Sequence, residues 1–124
     1  MTLKFRIRRF ESQAPVMVLV LDGSVDSLTA TRMGAILDLV LERHQGPIVL
    51  DFTRVHYVSS AGWRELIERI DILKRQGVHA VGMQPCVSDV FTMIGMDKLI
   101  PAHVVMDQAL AVIRAPHTEE PATS

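Results

Sequence analysis

The stretch that decides the fold is IVLDFTRVHYVSSAGW, residues 48–63. Its first part, residues 48–52, is a short apolar run of the kind found in strands that are covered on both faces. From Trp63 onward, apolar residues recur at helical spacing, and Gly77 favours the end of that helix. The stretch therefore predicts a buried strand, a loop and a helix whose start carries two serines, Ser59 and Ser60.

The sequence upstream of this stretch predicts two strands and one helix. Residues 3–7 alternate apolar with basic side chains, which is typical of an edge strand with one solvent-exposed face. Residues 16–21 form a continuous apolar run, which favours a central strand, and the turn at 13–15 is short enough to make the two strands antiparallel. Residues 28–44 follow helical spacing, with Asp26 or Ser27 as the N-cap.

The sequence downstream continues the alternation of strands and helices. We predict a strand at 78–81, a short helix at 87–94, a stub of strand at Val104-Val105 and a last helix at 106–113. Because strands that alternate with helices pair in parallel through right-handed crossovers, the expected fold class is α/β. The prediction is a small mixed β-sheet of four to five strands with about four helices.

Composition limits the classes of protein to which the chain can belong. Of 124 residues, 48% are hydrophobic and 22% are charged, with a formal net charge of −1. These values exclude disorder for most of the chain, and the even charge balance argues against nucleic acid as a ligand. We expect one domain over residues 1–113 and a flexible C-terminal tail over residues 114–124.

The pattern of cysteine, histidine and apolar residues predicts no metal site, no cofactor and no membrane insertion. The single cysteine, Cys86, cannot form an internal disulfide, and the five histidines do not show metal-ligand spacing. No run approaches the roughly 18 apolar residues of a membrane span, and the first residues do not resemble a signal peptide. We expect a cytoplasmic protein.

The start of the second predicted helix has the properties of an anion site. The first N–H groups of a helix lack partners and carry partial positive charge, so a phosphoryl group on Ser59 or Ser60 would be stabilised there. Gly62 costs about 1 kcal/mol relative to alanine in a helix, which indicates a close approach to the backbone. The alternative, that one of the serines is only the N-cap, stays open.

A catalytic serine is the competing interpretation of the same segment. Val58, Ser60 and Gly62 form a half-match to the G-x-S-x-G nucleophile elbow, which also lies at a turn between strand and helix. The first glycine of that motif is missing, and a hydrolase would also need a histidine, a carboxylate, an oxyanion hole and a substrate cleft. We therefore predict that the protein is not an enzyme.

Several other side chains have two interpretations each. Asp22, Asp26 and Asp51 lie at or beyond the ends of predicted strands, where they either border the serines or act as turn and cap residues.

Trp63 continues the apolar stripe, which favours the core, but it also lies in the first helical turn, which favours a partner contact. We expect a half-buried ring that serves both roles.

The residues around the serines resemble a known family. Residues 58–63 are similar to the Asp-Ser-Ser-Gly-Leu segment of the STAS domain, as found in bacterial anti-sigma factor antagonists. Residues 21–26 resemble the Gly-Glu-Leu-Asp segment that precedes the first helix of that domain. The resemblance covers residues 3–113. It departs from the family pattern at Ser59, which replaces Asp, at Ala61, which replaces the second Ser, and at Trp63, which replaces Leu.

The resemblance implies a regulatory protein that works by partner switching. In the family, the serine that aligns with Ser60 is phosphorylated by an anti-sigma factor serine kinase, and phosphorylation switches off binding to that kinase. A serine phosphatase is the second implied partner. The implied partner-binding residues are Ser59, Ser60, Ala61, Gly62, Trp63, Asp22, Gly23 and Asp26.

A second interpretation stays open at this point. The chain could be a STAS subunit that docks constitutively on another assembly, such as the ATPase of a lipid-transport ABC system, with Ser60 serving only as a contact. The sequence does not separate the two interpretations, and it does not predict the oligomeric state.

Overall fold

The computed structural model describes residues 3–10 and 15–114. Within these two ranges, five strands form one sheet in the order β1-β2-β3-β4-β5. Their bounds are β1 Leu3–Phe10, β2 Val16–Val25, β3 Ile48–Val58, β4 Val78–Val81 and β5 Ala102–His103. The predicted turn at 13–15 lies outside the described residues except for Pro15, and the predicted tail at 114–124 lies outside them except for Arg114.

The pairing of the strands confirms the predicted mixed sheet. β1 is an edge strand that pairs with β2 in antiparallel orientation. The pairs β2 with β3, β3 with β4, and β4 with β5 are all parallel. The α/β fold class is therefore confirmed.

Two predicted strand ends are wrong, because β2 and β3 both continue well past them. The two strands keep pairing as far as Val25 and Val58, across register shifts between Val20 and Asp22 and between Gly23 and Ser24. We predicted a loop after residue 52, but this segment is a strand. It mixes exposed and buried side chains, and Val55 is one of the buried ones. Cross-strand hydrogen bonds can extend a strand through polar residues that no apolar run would reveal.

In the described part of the chain, five α-helices flank the sheet, together with a short 3₁₀-helix at Met96–Lys98. The second predicted helix is divided at Arg69, whose backbone has φ −108° and ψ 10°, and this division accounts for the extra helix. The bounds are α1 Ser27–Arg43, α2 Ser60–Glu68, α3 Ile70–Gln76, α4 Pro85–Met93 and α5 Met106–Arg114. The strand stub predicted at Val104-Val105 is wrong by two residues, since Ala102 and His103 are the ones that pair with β4.

The core has two parts, one on each face of the sheet. The larger part lies between the sheet and α1 to α4 and includes Phe52, Leu66 and Phe91. The smaller part lies under α5, where Ala109 and Leu110 pack against valines of the central strands. The central strands are therefore covered on both faces, as their continuous apolar runs predict.

A pair of histidines links the last two strands. His79 of β4 is buried, and its Nδ1 lies 3.0 Å from Nε2 of His103 in β5. Burial, followed by the neighbouring His103, lowers the pKa of His79 below its ordinary value of 6.5. In the unfolded chain His79 titrates near that ordinary value, so the unfolded state takes up a proton first as the pH falls.

We therefore expect the folded state to lose stability as the pH falls below about 6.5, with no contribution from His79 well above that pH. Urea unfolding followed by circular dichroism between pH 5 and pH 8 measures this dependence. The His79→Gln variant should show a flatter pH profile, and the exposed His56→Gln control should keep the parent profile. Parallel profiles for all three proteins would contradict the assignment.

Candidate functional site

The ends of β2 and β3 bring together the two segments that the sequence singled out. Ser24 pairs with Tyr57, Val25 pairs with Val58, and the Ser59 N–H donates to the Val25 carbonyl at 2.7 Å. β2 then leads into α1, and β3 leads into α2. The starts of these two helices therefore lie at the same edge of the sheet.

The two serines at the start of α2 have different roles. Ser59 is the N-cap, and its Oγ accepts a hydrogen bond from the Gly62 N–H at 3.3 Å. Ser60 is the first residue of the helix and is exposed. Its hydroxyl makes no hydrogen bond to any of the residues that the structure describes. The N-cap interpretation is therefore correct for Ser59, while the Ser60 hydroxyl is left accessible.

Gly62 is required by the packing of α2 on the strands. A Cβ atom at this position would lie 2.7 Å from Cγ1 of Val25 and 2.7 Å from Cγ1 of Val58. Contacts this short do not occur between real side chains, so neither valine leaves room for alanine. Gly62 indicated a close approach to the helix backbone, and the groups that approach it are the valines of β2 and β3.

Trp63 belongs to the core, and the expectation of a half-buried ring is wrong. Only 3% of the residue is exposed. Its ring lies between Phe52, with centroids 6.3 Å apart, and Phe91, with centroids 5.8 Å apart. Phe91 comes from α4, so the cover over the tryptophan is supplied by a helix distant in the sequence. The Nε1 atom of Trp63 is buried without an acceptor among the described residues.

Of the two N-cap candidates in the sequence, Asp26 rather than Ser27 caps α1. Its Oδ1 accepts from the Leu28 and Thr29 N–H groups at 2.9 Å each, and Thr29 Oγ1 accepts from the Asp26 N–H at 2.8 Å. The hydrogen bond from the Thr29 backbone is the main cause that lowers the pKa of Asp26. This carboxylate is therefore ionised and committed to holding the start of α1 beside the serines.

Asp22 and Asp51 do not lie beside the serines, contrary to the prediction from strand ends. Asp22 lies inside β2 opposite Arg54, together with its neighbour Gly23, which pairs with Val55. Asp51 lies inside β3, where its Oδ1 accepts from the backbone N–H of Thr53 at 2.9 Å and from its hydroxyl at 2.6 Å. The reason is the extension of both strands beyond their predicted ends.

An apolar groove runs between α2 and α4, with Ser60 on its wall. Its volume is about 470 Å³. Ile67 of α2 and Ile94 after α4 are each 46% exposed there. The lining residues are Val58, Ser60, Trp63, Arg64, Ile67, Val90 and Ile94. No local sequence pattern indicates this groove, because its walls come from segments about 30 residues apart that only the packing of α4 brings together.

Neither a metal-binding group nor a membrane-spanning helix is found in residues 3–10 and 15–114. Within those ranges, no three side chains among histidine, cysteine, aspartate and glutamate are grouped as a metal ion would require. No helix there combines the length and apolar character needed to cross a membrane.

Comparisons with known proteins point to one domain family. The family model described as the STAS domain matches residues 8–110. A search of curated proteins finds no match. Among solved structures, an anti-sigma factor antagonist from Mycobacterium paratuberculosis is similar with a TM-score of 0.81 and 23% identity, over 91% of this chain and 95% of that one.

Two further solved structures share the fold. The Bacillus cell fate determinant SpoIIAA in its phosphorylated form has a TM-score of 0.63 and 16% identity, over 88% of this chain and 100% of that one. A sulfate transporter family protein from Wolinella succinogenes has a TM-score of 0.67 and 20% identity, over 79% of this chain and 84% of that one. At these identities the likeness establishes the fold alone.

Proposed function

Because the chain belongs to the STAS domain family, we propose that it is a non-enzymatic regulator of the anti-sigma factor antagonist type. In its unmodified form it binds an anti-sigma factor serine kinase in the cytoplasm and thereby regulates transcription. Phosphorylation of Ser60 by that kinase ends the interaction, and a serine phosphatase restores it. The solved structures that share the fold include anti-sigma factor antagonists, one of which is SpoIIAA, and SpoIIAA is also among them in a phosphorylated form.

The observation that carries the proposal is the exposed Ser60 hydroxyl, which has no hydrogen-bond partner in the described part of the chain. In the proposed reaction Ser60 Oγ forms a bond to the γ-phosphorus of ATP, the bond to the bridging oxygen breaks and ADP leaves, and the hydroxyl proton passes to a base of the kinase.

The apolar lining of the groove and the negative charge of the phosphate together explain why phosphorylation ends binding. Phosphoserine carries about −1.5 to −2 charges at pH 7. Burying that charge against an apolar wall in a packed interface costs several kcal/mol. The total binding free energy of a complex with micromolar affinity is only about 8 kcal/mol. One phosphate is therefore sufficient to dissociate a complex of moderate affinity.

The proposed contact surface is centred on Ser60. Ser59, Ala61 and Asp26 are half-buried around it and complete the surface at the two helix starts. Gly62 and Trp63 contribute from beneath, by holding α2 against the sheet. Asp22 and Gly23 lie farther along β2, at the margin of the proposed surface.

The alternative function is constitutive docking on a transport assembly. It gains support from the sulfate transporter family protein that shares the fold. In this interpretation the chain is a STAS subunit bound to another assembly, such as the ATPase of a lipid-transport ABC system. The groove would be permanently covered and Ser60 would be an ordinary contact.

Mapping the phosphate distinguishes the two functions. We expect incubation with ATP and a serine kinase encoded beside this chain to add one phosphate, on Ser60. Mass spectrometry of the tryptic peptide locates it. The Ser60→Ala variant should stay unmodified, while Ser59→Ala should still be phosphorylated because Ser59 serves as the cap. Phosphate on Ser59 would show that the acceptor is misassigned, and no phosphate with any neighbouring kinase would favour the docking subunit.

A further inference from the structure

Arg64 lies one helical turn after Ser60 and shares a face of α2 with it. Both residues are exposed, and both line the groove between α2 and α4. In an α-helix, side chains four residues apart are neighbours, with Cβ atoms about 5–6 Å apart. Side chains on a helix also lean toward its N-terminus, so a long side chain at position 64 extends back over position 60.

The guanidinium of Arg64 has no competing partner in residues 3–10 and 15–114. None of the hydrogen bonds or ion pairs between described residues involves it. Arg69, which caps the end of α2, shows the contrast, because its guanidinium is held by Asp38 at 2.7 Å and by Glu65 at 2.8 Å. Arg64 is therefore a cation beside the groove that remains available to an anion.

We infer that Arg64 is the internal counter-ion of phosphorylated Ser60. The inference rests on the proposed function in taking Ser60 as the phosphate acceptor. An anion placed four residues before a cation is the favourable order on a helix. The planar guanidinium can also donate two parallel hydrogen bonds to phosphate oxygens, which lysine cannot do.

This pairing adds a second component to the switch. In the unmodified protein, Arg64 offers a cation at the edge of an apolar groove, where it suits a carboxylate of the partner. In the phosphorylated protein, the phosphate holds Arg64, so the partner loses that cation and meets added negative charge as well. A phosphate on Ser59 could not act in this way, because the residue four positions later is the buried Trp63.

The test measures the ionisation of the phosphate itself. Phosphoserine is incorporated at position 60 during protein synthesis, and its second ionisation, near pH 6, is followed by ³¹P NMR. An adjacent cation favours the dianion and so lowers the second pKa of the phosphate. In the Arg64→Ala variant this pKa should therefore lie about half a pH unit above that of the parent. Arg75→Ala, which removes an exposed arginine on α3, is the matched control and should titrate like the parent.

Two further measurements make the outcome decisive. The difference between parent and Arg64→Ala should shrink in about 1 M salt, where the Debye length is about 3 Å, and Arg64→Lys should restore part of the shift. Identical titrations for the parent and Arg64→Ala would overturn the inference. Because the phosphoserine is installed without a kinase, a kinase that fails to modify Ser60 counts against the proposed function and leaves this titration unaffected.

Discussion

Replacing Trp63 with alanine is expected to cost about 3–5 kcal/mol of the free energy of unfolding. The ring is 3% exposed and packs between Phe52 and Phe91. Its removal leaves a cavity where α2, α4 and the sheet meet, and the close-packed side chains around it relax only partly into that space. Urea unfolding followed by circular dichroism measures the loss.

Two matched variants separate packing from other causes. Trp63→Phe keeps an aromatic ring and removes the buried N–H that lacks an acceptor, so it should cost under about 1.5 kcal/mol. Met93→Ala, which shortens a side chain that is 74% exposed on α4, should change the stability by less than about 0.5 kcal/mol. A loss of only about 1 kcal/mol for Trp63→Ala would mean that the ring is not part of the core.

Replacing Ser60 with aspartate is expected to weaken binding to the kinase partner by about tenfold or more while leaving the thermal midpoint within about 3 °C. An acid in the first turn of a helix is tolerated or mildly stabilising, so the fold should be unaffected. The same negative charge faces a wall of the apolar groove, where the partner would have to bury it. Isothermal titration calorimetry and a thermal melt give the two quantities.

The uncharged control is Ser60→Asn, which has the size of aspartate without its charge. We expect it to bind the partner within about threefold of the parent, because asparagine at this exposed position adds no charge to the interface. If Asn and Asp weaken binding equally, size rather than charge governs the site. If Ser60→Asp loses binding and thermal stability together, Ser60 is a structural residue and the proposed switch fails.

Local patterns predicted most of the secondary structure and its order. Residues 78–81 form a strand with the predicted bounds, and the alternation in residues 3–7 belongs to an edge strand. Asp26, one of the two N-cap candidates in the sequence, caps α1 with its side chain. These features depend on a few neighbouring residues, so periodicity and side-chain chemistry along the chain were sufficient to find them.

Features that depend on a distant segment were predicted poorly. Residues 53–58 continue β3 only because β2 supplies hydrogen bonds to them, so their mixed polarity gave no strand signal. Because β2 and β3 are longer than predicted, Asp22 and Asp51 lie inside the strands and not at the edge where we expected them. The 46% exposure of Ile67 and Ile94 likewise reflects how α4 packs against α2, which neither helix encodes alone.

The sequence by itself determined the family, the order of the elements and the placement of two serines at the start of a helix that follows a buried strand. Periodicity and motif spacing are properties of consecutive residues, so they could be read without coordinates. Only the tertiary structure decided that Ser59 is the cap and Ser60 has the accessible hydroxyl, that Phe91 covers Trp63, and that Arg64 lies beside the groove with no partner among the described residues. Burial and pairing depend on which remote segment packs at each place, and that is settled only when the helices and the sheet come together.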